Sequence, residues 1–156
     1  MIRRAGPQDV PFLRDMLRHA YYWRVSTLTE SGEPPLQRYV ERWGRPGDTA
    51  LIAIQDFQPV GAAWYRLFKA DHPGYGFVDE ETPELSIAVV PSKRGSGLGS
   101  ELLEALMERA RADGYAAISL SVEKDNPAVA LYERHGFVRV GEDDGAYTMR
   151  AELGGS

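Results

Sequence analysis

The stretch "VVPSKRGSGLGSELLEAL", residues 89–106, sets glycines at 95, 97 and 99 between a strand-like run and a helix-spaced apolar set. The run "ELSIAVV" (84–90) is ended by Pro91, and a helix is expected over 100–112, with Leu102, Leu103, Leu106 and Ala110 turned inward and Gly114 closing it. A strand, a glycine loop and a helix in direct succession put a helix N-terminus just after the glycines. The orphan N–H groups there carry partial positive charge and form a ready anion site. Glycine lets the backbone come close to a ligand and adopt φ > 0. Lys93 and Arg94 add formal positive charge at the rim. Such a loop suits a pyrophosphate cradled by backbone amides, with no metal ion required.

The other elements follow from periodicity. Ile2–Arg4 reads as a short strand. "GPQDVPFLRDMLRHAYYW" has helical spacing at Val10, Leu13, Met16, Leu17 and Ala20, with Asp9 as N-cap and Pro11 in the first turn. Residues 26–35 read as a loop, and "LQRYVERWG" (36–44) as a short helix stopped by Gly44. "TALIAIQ" (49–55) and "PVGAAWYRLF" (59–68) form a hairpin about the turn "DFQ", and 69–83 is a long loop. "AAISLSV" (116–122) is a strand, "NPAVALYERHG" (126–136) a capped helix, and "FVRV" (137–140) with "AYTMRAEL" (146–153) a final hairpin around "GEDDG". This order implies one α/β domain over 1–156, a mixed sheet of about seven strands flanked by about four helices.

Composition narrows the function. At 156 residues the chain fits one domain, without need of a stabilising metal or disulfide. The lack of cysteine removes thiolate nucleophiles and zinc-thiolate sites. A net charge of −5 argues against nucleic acid as a partner and fits a small or cationic one. Residues 1–30 show no signal-peptide pattern, and no apolar run is long enough to cross a membrane. The expected setting is the cytoplasm.

Which phosphate ligand the loop takes is narrowed by what it lacks. A nucleoside-triphosphate loop would carry GxxxxGK[ST], and no lysine follows these glycines. A dinucleotide loop would read GxGxxG directly after its strand. Here Ser100 stands at the third glycine's position, and no second βαβ half lies upstream, although Glu123 is spaced like a ribose-binding acid. "ELSIAVVPSKRGSGLGSELLEAL" followed by "ISLSVEKDNPAVALYERHGFVRVG" resembles the GNAT superfamily of N-acetyltransferases. Arg94, Gly97 and Gly99 meet that family's (R/Q)xxGx(G/A) pattern, and Asn126, Tyr132 and Gly136-Phe137 fit its next motif. The resemblance covers residues 84–140.

It implies that the loop holds the pyrophosphate of acetyl-coenzyme A, with backbone amides of Arg94, Gly95, Ser96, Gly97, Leu98, Gly99 and Ser100 receiving the phosphates. The pantetheine arm would pair with the backbone of strand 84–90, notably Ala88 and Val90, like an added strand. In the family that strand and the next splay apart at this point. Asn126 would bind the arm from its other side, and Lys93 would meet the 3′-phosphate or remain solvated. Direct acetyl transfer to an amine requires deprotonation of the amine, stabilisation of an oxyanion and protonation of the leaving thiolate. By the same resemblance Tyr132 is the acid, against the plainer reading of a core tyrosine. Glu84, at the start of the strand and on one face with Ser86 and Ala88, is the base acting through water. The N–H of Val90 or Val89 is the oxyanion donor. A non-catalytic module that binds or senses acyl-coenzyme A is the alternative, and a homodimer is compatible with the family.

His135, in the last turn of its helix, reads as a cap. His19 and His72 have no partners at ligand spacing, so no metal is expected. Acceptor choice in the family depends on residues 20–45 and the loop 69–83. Tyr21, Tyr22 and Trp23 cannot all face one way on a helix. Of Trp64 and Tyr65, which alternate on a strand, one should face the cleft. Asp79, Glu80 and Glu81 near Glu84 either attract a cationic amine or form a solvated loop. The acceptor expected is a small-molecule amine or a peptide N-terminus.

Overall fold

The computed structural model describes residues 1–20, 36–143 and 145–154. Its seven strands are β1 (Ile2–Arg4), β2 (Thr49–Gln55), β3 (Gln58–Arg66), β4 (Glu84–Val89), β5 (Ala117–Glu123), β6 (Val138–Glu142) and β7 (Ala146–Glu152). They form one sheet in the order β1-β2-β3-β4-β5-β7-β6. The sheet is mixed, since β4 and β5 run parallel while β1–β2, β2–β3, β5–β7 and β6–β7 are antiparallel. The α-helices among the described residues are α1 (Val10–Ala20), α2 (Leu98–Ala112) and α3 (Ala128–Arg134), with 3-10 turns at Pro7–Asp9, Leu36–Tyr39 and Pro91–Lys93. This is the expected α/β architecture, with fewer α-helices than the four expected. No helix is long and apolar enough to cross a membrane.

The chain comprises two compact units, Met1–Arg66 with Ser86–Leu106, and Leu67–Leu85 with Met107–Ser156. In the first, β2 and β3 form the expected hairpin, from Thr49↔Tyr65 to Gln55↔Gln58. The turn is tighter than "DFQ" suggests: Asp56 and Phe57 alone make it, with φ of 51° and 65°. Two positive φ values match the twist of a two-residue hairpin, although neither residue is glycine. The core is built from Leu13, Met16 and Leu17 of α1, Ile52, Ala62 and Ala63 of the hairpin, and Leu102 and Leu103 of α2, all buried. Trp64 and Tyr65 are both buried, and Trp64 Nε1 donates to Tyr39 O at 3.1 Å.

The missing helix is segment 36–44. It makes one 3-10 turn, then Arg42 and Gly44 take φ of 51° and 111°. Asp48 explains the departure, because its Oδ2 accepts the N–H groups of Gly44 and Arg45 at 3.0 and 2.9 Å and holds them in a loop. The same carboxylate takes Arg66 Nη2 at 2.6 Å, while Oδ1 takes Nε at 2.9 Å, and both side chains are almost wholly buried. Removing one partner of such a pair costs about 3–5 kcal/mol, since the other is left buried and charged. A cleft of about 400 Å³ in this unit, lined by Arg4, Pro7, Val10, Trp43, Arg45 and Asp48 among others, contains none of the expected site residues.

In the second unit, β5 and β7 pair from Ala117↔Glu152 to Glu123↔Ala146, and β6 pairs outside β7. Ile118, Leu120, Val122, Met149, Phe137 and Leu153 are buried. The closing hairpin forms as expected, but β6 runs on to Glu142, so its turn is shorter than "GEDDG", and Asp143 Oδ1 accepts the N–H groups of Gly145 and Ala146.

Candidate active site

The glycine loop belongs to the first unit. After β4, Pro91 begins a 3-10 turn closed by Lys93 N–H on Val90 O and Arg94 N–H on Pro91 O, at 2.9 and 3.3 Å. Ser96 Oγ donates to Lys93 O at 2.6 Å and ties the loop to that turn. Gly95 and Gly97 have φ of 79° and 86°, and a Cβ at either would meet nothing within 4 Å. These glycines are therefore needed for backbone sense, and they face open space. Helix α2 begins at Leu98, two residues earlier than expected, so Gly99 and Ser100 are helical. Its first bond near the N-terminus runs from Glu101 N–H to Gly97 O at 3.1 Å. The N–H groups of the turn before it point out beyond the helix end.

The fit to a phosphate-bearing coenzyme is direct. A strand end, a turn bearing the cations Lys93 and Arg94, a loop with no side chains at its two left-handed positions and a helix N-terminus follow in succession, an arrangement that needs no metal to hold phosphate. Two expectations change. The Arg94 N–H is spent on Pro91 O, so the donors begin after it. The Val90 N–H donates to Val60 O at 2.9 Å, and Ala88 O lies 3.1 Å from where a Gly61 Cβ would sit. Ala88 and Val90 therefore turn their main-chain groups to β3. Main-chain groups alternate sides along a strand, so Ile87 and Val89 turn theirs away from it. The main-chain groups of Ala88 and Val90 that were expected to meet the arm thus face β3, and the Val90 N–H is engaged within the sheet.

The titratable groups belong to the second unit. Glu84 is 1% exposed and opens β4, where it pairs with Ser119 of β5. Its Oε2 accepts the Gly76 N–H at 3.0 Å. Tyr132, on α3, is buried and meets Phe137 edge to face, ring centroids 5.7 Å apart. Burial pushes its hydroxyl well above the usual tyrosine range, and the negative charge of Glu123 adds to this. The group is thus a neutral donor at physiological pH.

Asn126 is engaged locally. Its Oδ1 accepts the Ala128 N–H at 2.9 Å, which starts α3, and its Nδ2 lies 3.4 Å from Glu123 Oε2. His135 follows α3 with Nδ1 2.9 Å from Leu131 O, in keeping with a cap. The acidic residues of loop 69–83 also serve the loop itself. Asp79 Oδ1 accepts from Glu81 N–H and Thr82 Oγ1, and the Thr82 hydroxyl foremost holds Asp79 below the usual carboxylate range. Glu80 Oε2 accepts the Ala70 N–H. Among the described residues no His, Cys, Asp or Glu cluster could hold a metal ion. Tyr21, Tyr22, Trp23 and the loop 26–35 lie outside the described residues.

Two buried residues that the sequence did not single out stand beside Glu84. Ser119 Oγ donates to Gly76 O at 2.8 Å, and a Cβ on Gly76 would fall 2.4 Å from the Leu120 carbonyl carbon. Only the glycine in a long loop hinted at them.

Residues 11–137 match the model of the acetyltransferase (GNAT) family. The chain is 44% identical over 143 residues to an L-methionine sulfoximine/L-methionine sulfone acetyltransferase of Pseudomonas aeruginosa, covering 87% of this chain and 78% of that one. Among solved structures, the ribosomal-protein-alanine N-acetyltransferase of Brucella melitensis superposes with a TM-score of 0.69 at 27% identity, over 98% of this chain and 99% of that one. The yncA structure from Salmonella typhimurium, with its cofactor acetyl-CoA, has a TM-score of 0.72 at 22% identity over 100% and 95% of the two chains, a likeness of fold. The chain belongs to the GNAT family and is an N-acetyltransferase that takes its acetyl group from acetyl-coenzyme A.

Proposed function

We propose that the enzyme acetylates the α-amino group of a small amino-acid-like acceptor, in the cytoplasm. The 44% identity over 87% of the chain to an acetyltransferase named for methionine sulfoximine and methionine sulfone carries this reading. The loop from Gly95 to Ser100 receives the coenzyme phosphates on its backbone N–H groups. Val89 and Ile87, whose main-chain groups turn away from β3, pair with the pantetheine arm. Glu84 takes the amine's proton, directly or through one water, and Tyr132 returns a proton to the departing sulfur. With its hydroxyl raised by burial, Tyr132 is protonated whenever a thiolate leaves. Burial also makes Tyr132 a weaker acid than a free tyrosine, so its proton passes only as thiolate charge develops on the sulfur. The alternative of a non-catalytic coenzyme module gains no support from relatives named as acetyltransferases.

A second acceptor class is worth separate measurement, because the Brucella melitensis neighbour acts on a ribosomal protein's alanine and aligns along nearly its whole length. The experiment is thiol release from acetyl-coenzyme A with methionine sulfone, methionine sulfoximine or an alanine-initiated peptide as acceptor. The chain has no cysteine to contribute background. The expected result is a kcat/KM at least about tenfold higher for the amino acids than for the peptide, a difference of roughly 1.4 kcal/mol in transition-state binding. Faster turnover of the peptide would replace the small-acceptor reading.

A further inference from the structure

Ser119 is 0% exposed, yet its neighbours in β5 at the same depth, Ile118 and Leu120, are apolar. A hydroxyl in such a strand is retained where it has bonds to make. Ser119 makes two. Its N–H donates to Pro83 O at 2.9 Å, and its Oγ donates to Gly76 O at 2.8 Å. The Gly76 N–H in turn donates to Oε2 of Glu84, the residue that follows Pro83. The four residues close a ring of hydrogen bonds around the start of β4. Gly76 enters that ring only because it lacks a side chain, since a Cβ would lie 2.6 Å from both Leu120 O and Ser121 N.

We propose that Gly76 and Ser119 are positioning residues for the general base, an inference that rests on the reading of Glu84 as that base. Ser119 fixes the Gly76 peptide plane, and that plane aims its N–H at the Glu84 carboxylate. The rotamer and proton affinity of Glu84 are then set by the loop 69–83 as well as by β4. An N–H donating to a carboxylate favours its ionised form, so the ring lowers the pH at which the base becomes competent. The loop that bears on acceptor choice thereby carries a donor to the base.

The test is a carbon-13 titration of the glutamate side-chain carboxyls, with Glu84 assigned by its absence in Glu84→Gln. In the unaltered protein the Gly76 amide proton should titrate with the Glu84 midpoint. In Ser119→Ala that midpoint should move to higher pH, the acid limb of kcat/KM with methionine sulfone should move with it, and kcat should fall about fivefold, the value of one hydrogen bond. The affinity for acetyl-coenzyme A, measured by calorimetry, should stay within about twofold, and Ser119→Thr, which keeps the hydroxyl, should restore the parent midpoint. A Gly76 amide blind to Glu84, or a Glu84 midpoint untouched by Ser119→Ala, overturns the positioning role and leaves the base reading standing. A midpoint that moves while the acid limb stays still overturns the base reading, and the catalytic meaning of the ring falls with it.

Discussion

Gly97 and Gly76 are both positions where only glycine serves, for opposite reasons. Gly97 has φ of +86° and nothing within 4 Å of a notional Cβ. Gly76 is absent from the positive-φ residues, yet its notional Cβ would collide with the Leu120 backbone at 2.4 Å. One glycine lets the chain turn left-handed in front of a helix end and leaves room for a ligand. The other lets two stretches of backbone press together around a buried carboxylate. The proposed coenzyme cradle is thus made of main chain with open space beside its glycines, while the proposed acid and base, Tyr132 and Glu84, are side chains enclosed by packing. Damage to the first should act on binding, and damage to the second on rate and stability.

The largest effect should come from Gly97→Asp, which puts bulk and negative charge where phosphate oxygens are expected. Coenzyme affinity should fall by more than about a hundredfold, a loss above roughly 2.7 kcal/mol. The thermal midpoint measured without ligand should fall by only a few degrees, the cost of a left-handed φ of 86°, because the added side chain meets no neighbour. The parent should gain about 2.7 kcal/mol of stability at 100 times its dissociation constant, and the variant almost none. An unchanged affinity would remove the loop from the coenzyme site.

Tyr132→Phe should come next, with kcat lowered about a hundredfold and coenzyme affinity within twofold of the parent, as for loss of a general acid. The edge-to-face contact with Phe137 survives the change, so the fold is not in question. A rate within twofold of the parent would return Tyr132 to the role of a core aromatic. Gly76→Ala should lower the ligand-free unfolding midpoint by several degrees, in line with the roughly 1–3 kcal/mol of an overpacked interior, while the coenzyme still binds. If Gly76→Ala were as stable as the parent, the contrast with Gly97 would collapse.

The sequence declared the elements around the glycine loop far better than the surroundings of Glu84. Glycine spacing, the proline stop and the apolar period after Leu98 are local, so the strand, loop and helix were legible, along with the hairpins and the existence of α3, which runs Ala128–Arg134 rather than over 126–136. Segment 36–44 was misread because its apolar spacing is helical, while the Asp48 carboxylate that prevents the helix competes from further along the chain. That Ala88 and Val90 turn their main-chain groups to β3 was hidden for another reason. Periodicity tells which residues share a face, but which main-chain groups meet β3 depends on pairing with Val60. Ser119 and Gly76 lie 43 residues apart, and no pattern in either segment announces the bond between them.

The smallest effect is the most direct probe of how dry the second region is. A tyrosine in the unfolded chain titrates near pH 10. Burial first, and the Glu123 charge second, raise Tyr132 above that in the folded chain. At pH values between the two, the unfolded chain gives up a proton that the folded chain keeps, so the stability due to the protonated hydroxyl is fully present below about pH 10 and is lost as pH rises. The other seven of the eight tyrosines, and every lysine, are common to the parent and Tyr132→Phe, so their titrations cancel in the difference. The parent-minus-variant difference in unfolding free energy should be flat from pH 7 to 9 and should shift against the parent by about 1.4 kcal/mol by pH 11. A difference that stays flat to pH 11 would mean that the hydroxyl meets water in the folded enzyme, and the acid would then belong with the exposed cradle rather than with the enclosed base.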